Sequence, residues 1–381
     1  MRITEFINQN VRENEVKPNH QLLKIFIFGM LVLIPILAVD YYVDAYASFR
    51  VTYDKIGMMG SKSNYCVGEE IPLSERKAKW GKINNASKID YMVMGSSRSM
   101  QFSKENLGLE YFLNLGVPGG SSVRDYMAET YILYHNNELP QYLLIEISPS
   151  IFNENSGEYR WMEWGQSADY MQKILEGESV SDDDSKLLGI RMEDILSLSY
   201  FKYNISQLKE HKRTKVFEND EIDNEDLGTQ HVDGSYAYSR KFQVKNDDSM
   251  ILQEINSICN SNAIYCCSNF EKLDDERINQ FCKLVDFWKS QGIEVSFYLP
   301  PYAEPMYEYI LETEIYAPIL EVEKWALEYA VNNDIQVYGS YNPEGSKLKL
   351  NDLYDAYHIR DNKVKDTLWP RYESLPDYWN K

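Results

Sequence analysis

Met94-Gly95-Ser96-Ser97-Arg98 follows an apolar run, and Asp355-Ala356-Tyr357-His358 lies near the far end of the 381-residue chain. A serine hydroxyl becomes a useful nucleophile when a base takes its proton, and the base works best when a carboxylate orients it. A spacing of three lets one turn hold Asp355 against one ring nitrogen of His358 while the other faces a serine. The five histidines stand at 20, 135, 211, 231 and 358. Only His358 combines a loop position after the last expected strand with an acid three residues earlier. Taken alone, Gly-Ser-Ser reads equally as a turn or a helix cap, and Asp-x-x-His as a surface pair.

Two further turns carry polar or glycine-rich sequence. Asn114-Leu-Gly-Val-Pro-Gly119-Gly120 places glycines where backbone amides can approach a ligand closely. Glu146-Ile-Ser148-Pro-Ser150 offers two hydroxyl donors. Arg98 suits an anionic substrate or, the commoner role for such an arginine, a structural ion pair. Trp161 and Trp164 suit either sugar stacking or core packing.

These four segments need elements that bring them together. Residues 88–95, 111–115, 141–147, 293–299 and 335–338 read as short strands, and 121–136, 272–291 and 316–332 as helices. The run 141–147 is too apolar to have a wet face, which indicates a buried parallel strand. Phe281, Leu284, Val285 and Trp288 mark one apolar helix face. Strands alternating with helices predict an α/β fold, a parallel sheet with helices on both faces. The four segments then fall at the carboxyl ends of strands or beyond the last one, where open α/β sheets place their sites. Residues 154–265 break the rhythm and read as one large insertion, helical over 190–212, with a loop near 215–250 that includes the acidic run 218–226.

The amino-terminal end is different. Residues 25–39 form an uninterrupted uncharged, mostly apolar run, and 22–43 as a helix would be about 33 Å long, enough to cross a bilayer core. A cleaved signal peptide or a buried helix are the alternatives; the acidic residues before the run and its position favour an anchor. The expected order is a short cytoplasmic tail over 1–21, a transmembrane anchor over 22–43, a juxtamembrane segment over 44–87, and an extracellular domain over 88–381. Arg2, Arg12, Lys17 and Lys24 before the span place the amino terminus inside.

Composition limits the remaining possibilities. With 39 basic and 59 acidic side chains the formal charge is −20. No basic face is apparent, which argues against nucleic acid as a partner. A mean hydropathy of −0.48 excludes a polytopic membrane protein. Five cysteines without a C-x-x-C pair give no support for a zinc site, and neither a metal nor a cofactor is expected.

The block order resembles that of the SGNH (GDSL-like) hydrolase superfamily. Its blocks are a Gly-Asp-Ser nucleophile turn, a glycine, an asparagine and a terminal Asp-x-x-His. The resemblance implies a three-layer fold, Ser97 as nucleophile, His358 as base and Asp355 as acid. It also implies Gly119 and Ser150 in the oxyanion hole, and it leaves Arg98 and Ser148 to contact substrate. Two positions depart from the pattern: Ser96 replaces the aspartate, and Ser150, or Ser148, stands where the asparagine would be. Gly-Ser-Ser, Ile-Ser-Pro followed by Phe152, and one amino-terminal span are similar to the membrane-anchored DltD-like branch, with the polysaccharide O-acetylation proteins more distant. That likeness implies D-alanyl or O-acetyl transfer to teichoic acid or exopolysaccharide at the cell membrane. It also implies a membrane-bound O-acyltransferase (MBOAT) protein as partner, with membrane lipid around the anchor. A plain esterase, or a non-catalytic partner of the membrane acyltransferase, are the rival expectations.

Overall fold

The computed structural model describes residues 20–43, 53–67, 74–86, 88–119, 121–180, 201–202, 205, 216–219, 223–245, 247–372 and 379. The chain divides into two units: residues 1–45 with 191–213, and residues 46–190 with 214–381.

In the first unit the described element is the helix His20–Val43, with Pro35 inside it. Its side chains are described over 23–39, and Ile25, Phe26, Phe28 and Leu31 are each about two-thirds exposed. Among the described residues, no helix is long and apolar enough to cross a membrane. The expected tail, and most of the expected helix over 190–212, lie outside the described residues.

The second unit is mixed α/β. Strand β1 (Tyr65–Val67) precedes helix α1 (Glu75–Asn84). Then come β2 (Tyr91–Met94), β3 (Phe112–Asn114), helix α2 (Val123–His135) and β4 (Tyr142–Glu146). Short strands β5 (Val216–Glu218), β6 (Thr229–Gln230) and β7 (Tyr236–Ala237) follow. Helix α3 (Asp275–Ser290), β8 (Glu294–Leu299), helix α4 (Ala317–Asn332) and β9 (Gln336–Gly339) complete the core. The order β3-β2-β4-β8-β9 forms a five-stranded sheet, parallel throughout. Numbered within this sheet, the strands run 2-1-3-4-5, so the chain reverses direction across the sheet between β2 and β4 and opens a crevice at their carboxyl ends.

Successive strand residues point to opposite faces. Met92, Met94, Leu143, Ile145, Phe297, Leu299 and Val337 join the cluster under α2, α3 and α4. Val93, Leu144, Tyr298 and Tyr338 face the other way, onto Phe102, Leu107, Val364, Leu368 and Trp379. The central residues of this sheet are therefore buried on both sides, which explains the largely apolar composition of its strands. Helices α2, α3 and α4 lie on one face, and the other carries the short helical segments Lys104–Leu107 and Val364–Leu368.

The region expected to be an aperiodic juxtamembrane segment belongs in part to this unit. β1 pairs with β5 and β6, and β7 extends them into a small antiparallel sheet. Helix α1 buries Arg76, Lys79 and Lys82. Arg76 Nε donates to Asp125 at 2.7 Å, and Lys79 Nζ donates to the Asn114 carbonyl at 3.0 Å. Lys82 Nζ reaches the carbonyls of Gly60 and His231, both at 2.7 Å. Burial pushes Lys82 down to about 7 and Lys79 down to about 8. All five cysteines are free thiols.

Candidate active site

Ser97 follows β2 in a tight turn closed by Ser99 N–H to the Ser96 carbonyl. The turn leads into the four-residue helix Lys104–Leu107. Gly95 allows the turn: a Cβ there would stand 2.3 Å from Ser99 Oγ and 2.6 Å from Glu146 Oε2. Ser96 turns inward. Its N–H donates to Glu146 Oε2 at 2.8 Å, and its hydroxyl donates to Glu146 Oε1 at 2.5 Å. Glu146, fully buried at the end of β4, thus ties the serine turn to the next strand. Ser97, the neighbouring residue, is left half-buried, facing the crevice.

Asp355 and His358 lie in the loop after β9, closed by Tyr354 N–H to the His358 carbonyl at 2.7 Å. Asp355 Oδ1 accepts the backbone N–H groups of Tyr357 and His358, each at 2.9 Å. Its carboxylate also meets His358 Nδ1, at 2.8 Å to Oδ2 and 2.9 Å to Oδ1. An acid on Nδ1 fixes the proton there and leaves Nε2 as acceptor. Ser97 Oγ lies 2.8 Å from that nitrogen, positioned to donate its proton. Burial works against ionising Asp355, but the hydrogen bond and charge of His358, with the two backbone amides, outweigh it and hold the carboxyl below its usual range.

A cavity of about 250 Å³ opens beside Ser97. Arg98, Gly119, Ser148, Ser150 and His358 line it together with Ser97, so the sequence-assigned residues converge on one space, with Asp355 behind the imidazole. Gly119 has φ +75°, the left-handed region where glycine is favoured, and a Cβ there would collide with Arg160. The Gly119 carbonyl accepts from Arg160 Nη2 and, at 2.8 Å, from the Tyr265 hydroxyl. Among the described residues no acceptor takes the N–H of Ser97 or Gly119. Ser148 Oγ and Ser150 Oγ are 3.3 Å apart. Gly120 lies outside the described residues.

Arg98 makes no ion pair among the described residues, which corrects the expected structural role. Its Nη2 donates to the carbonyls of Pro300 at 2.8 Å and Pro301 at 2.7 Å. Trp164 is core, fully buried with its Nε1 donating to Asp125 at 2.9 Å, and Trp161 lies under the Arg124 guanidinium.

Sequence reasoning missed several residues that build the site. Glu146 carried a readable signal, a lone carboxylate ending an apolar strand beside the crevice. Tyr238, Arg160 and Tyr265 carried none, because they come from the long insertion. The Tyr238 ring packs 5.5 Å from that of His358. The insertion therefore supplies part of the cavity wall.

Fold and site define a mixed α/β protein with a parallel five-stranded sheet and a Ser-His-Asp relay at the crevice where its topology reverses. Residues 36–366 match the family described as protein of unknown function (DUF1574), and the chain belongs to that family. No curated protein matches the chain.

Proposed function

We propose that this protein is a membrane-anchored, extracytoplasmic serine acyltransferase or esterase of the SGNH type, acting on cell-envelope polymers. One observation carries the reading. Asp355, His358 and Ser97 form an unbroken relay, with the serine oxygen open to a cavity and the N–H groups of Ser97 and Gly119 without an acceptor among the described residues.

His358 Nε2 takes the Ser97 proton as Oγ bonds to the carbonyl carbon of an ester or thioester. The amides of Ser97 and Gly119, with a hydroxyl from Ser150 or Ser148, stabilise the oxyanion. Collapse breaks the bond to the leaving group, which takes the proton from His358. An acceptor hydroxyl then attacks the acyl-serine while His358 removes its proton, and Ser97 regains its own. With a glycan hydroxyl the result is transfer; with water it is hydrolysis.

The anchor reading rests on the sequence, an uninterrupted uncharged and mostly apolar run over 25–39, and apolar side chains stand exposed along the helix His20–Val43. A membrane-bound O-acyltransferase protein is the proposed donor-side partner, and D-alanyl or O-acetyl the group moved. The net charge of −20 would repel a polyanionic polymer on average, which favours a neutral exopolysaccharide over teichoic acid as acceptor.

The test is partition of a preformed acyl-enzyme. Protein charged with an activated acyl ester should lose its adduct several-fold faster when envelope polysaccharide is added, with the acyl group appearing on glycan hydroxyls. Loss at one rate with or without glycan would establish the esterase instead. Failure to form any adduct would support the non-catalytic partner.

A further inference from the structure

The cavity beside Ser97 is small, about 250 Å³, and among the described residues its lining includes no carboxylate. Arg98 brings a full charge into it, while Tyr265, Tyr302, Tyr357 and Cys267 contribute neutral groups. Arg98 is 7% exposed and its guanidinium is held still. Two proline carbonyls accept from Nη2, and the Tyr302 ring lies 4.4 Å beneath it. Neutral carbonyls and an aromatic face orient a cation without cancelling its charge. Nε is buried with no hydrogen-bond partner, and no carboxylate pairs with Arg98 among the described residues. Neighbouring groups feel the field. Burial pushes the Cys267 thiol and the Tyr302 and Tyr357 phenols up, and in each the charge of Arg98 opposes that rise.

We infer that the acyl group accepted by Ser97 is short and carries no cationic amine, and that a terminal carboxylate is preferred over a neutral end. This rests on the reading of Ser97 as the acyl-accepting nucleophile and narrows its substrate class. An ammonium entering the cavity gives up hydration, meets a fixed like charge and finds no acid among the lining residues. In a site of lower effective dielectric than water, one fixed charge is enough to set an order among acyl groups. A carboxylate meets the same guanidinium favourably. Of the two acyl groups proposed above, acetyl fits the cavity and an aminoacyl group does not.

The experiment uses the full-length protein in detergent and three 4-nitrophenyl esters, hemisuccinyl, butanoyl and β-alanyl, whose acyl chains are of similar length and differ chiefly in terminal charge. Ser97 acylation is followed by released nitrophenol and by mass. The expected order is hemisuccinyl, then butanoyl, then β-alanyl, with roughly tenfold or more between the extremes. Arg98→Gln should compress that order toward equality, with folding of the variant checked separately by its circular dichroism spectrum and thermal midpoint. A flat or inverted order in the wild type would overturn the charge inference and leave the acyl-serine reading standing. An order unchanged in Arg98→Gln would overturn the assignment to Arg98. No Ser97 adduct from any ester would overturn the acyl-serine reading itself, and the inference with it.

Discussion

Ser96 stands where the resemblance puts an aspartate, and it reaches a carboxylate anyway. Its hydroxyl and amide both donate to Glu146, which turns the Ser97 side chain toward His358. Glu146→Gln exchanges one acceptor for a donor and breaks one of these buried bonds. Chemical denaturation should show a loss of about 1–3 kcal/mol, and kcat should fall more than KM changes, because the serine loses its aim. Asp355 works on the other partner. Asp355→Asn leaves the shape of the loop but removes the charge that stabilises the imidazolium and selects its tautomer. By the precedent of Ser-His-Asp enzymes, kcat should fall about 10³–10⁴-fold. The pH dependence follows from the lowered Asp355 carboxyl. A depressed acid contributes stability above its unfolded value, near 3.9, and loses it as pH falls through the lower folded value. Wild-type denaturation midpoints should therefore drop below about pH 4, and Asp355→Asn should be less stable at neutral pH with a shallower acid fall.

At the scale of elements, the strands were legible because both faces of each are buried. Tyr142–Glu146 has no polar alternation to confuse with a surface strand. The apolar stripe Phe281, Leu284, Val285 and Trp288 likewise marked α3, and all four are buried. Helix α1 was illegible for the opposite reason. Its buried residues include Arg76, Lys79 and Lys82, charges that read as solvent-facing. They are inside because distant groups satisfy them: Asp125 on α2, and carbonyls of Asn114, Gly60 and His231. No local pattern announces partners that far away. Arg76→Met would leave the Asp125 carboxylate buried without its cation, and equilibrium unfolding should register a loss of about 3–5 kcal/mol. The triad was legible because Asp-x-x-His is a local motif with a local geometry. The cavity wall from Tyr238 and Tyr265 was not, because it forms only when the insertion returns to the sheet edge.

For the whole molecule, one chain carries two chemically different parts. The helix His20–Val43 exposes apolar side chains, and the rest carries the relay in a mixed α/β unit. If the helix is an anchor, full-length protein expressed in bacteria should stay in the membrane fraction through a carbonate wash. A chain beginning at residue 46 should move to the soluble fraction and keep its ester chemistry. Retention of the truncated chain in the membrane would move the anchor elsewhere.

The proposed chemistry depends on acylation of Ser97. The most direct measurement treats full-length protein with a short activated ester, quenches in acid and maps the added mass by peptide sequencing in the mass spectrometer. One acyl group is expected on the peptide containing Ser97, absent in Ser97→Ala and formed at least about 10³-fold more slowly in His358→Ala. An acyl group that persists in Ser97→Ala, or one found on Ser96, Ser148 or Ser150, would contradict it.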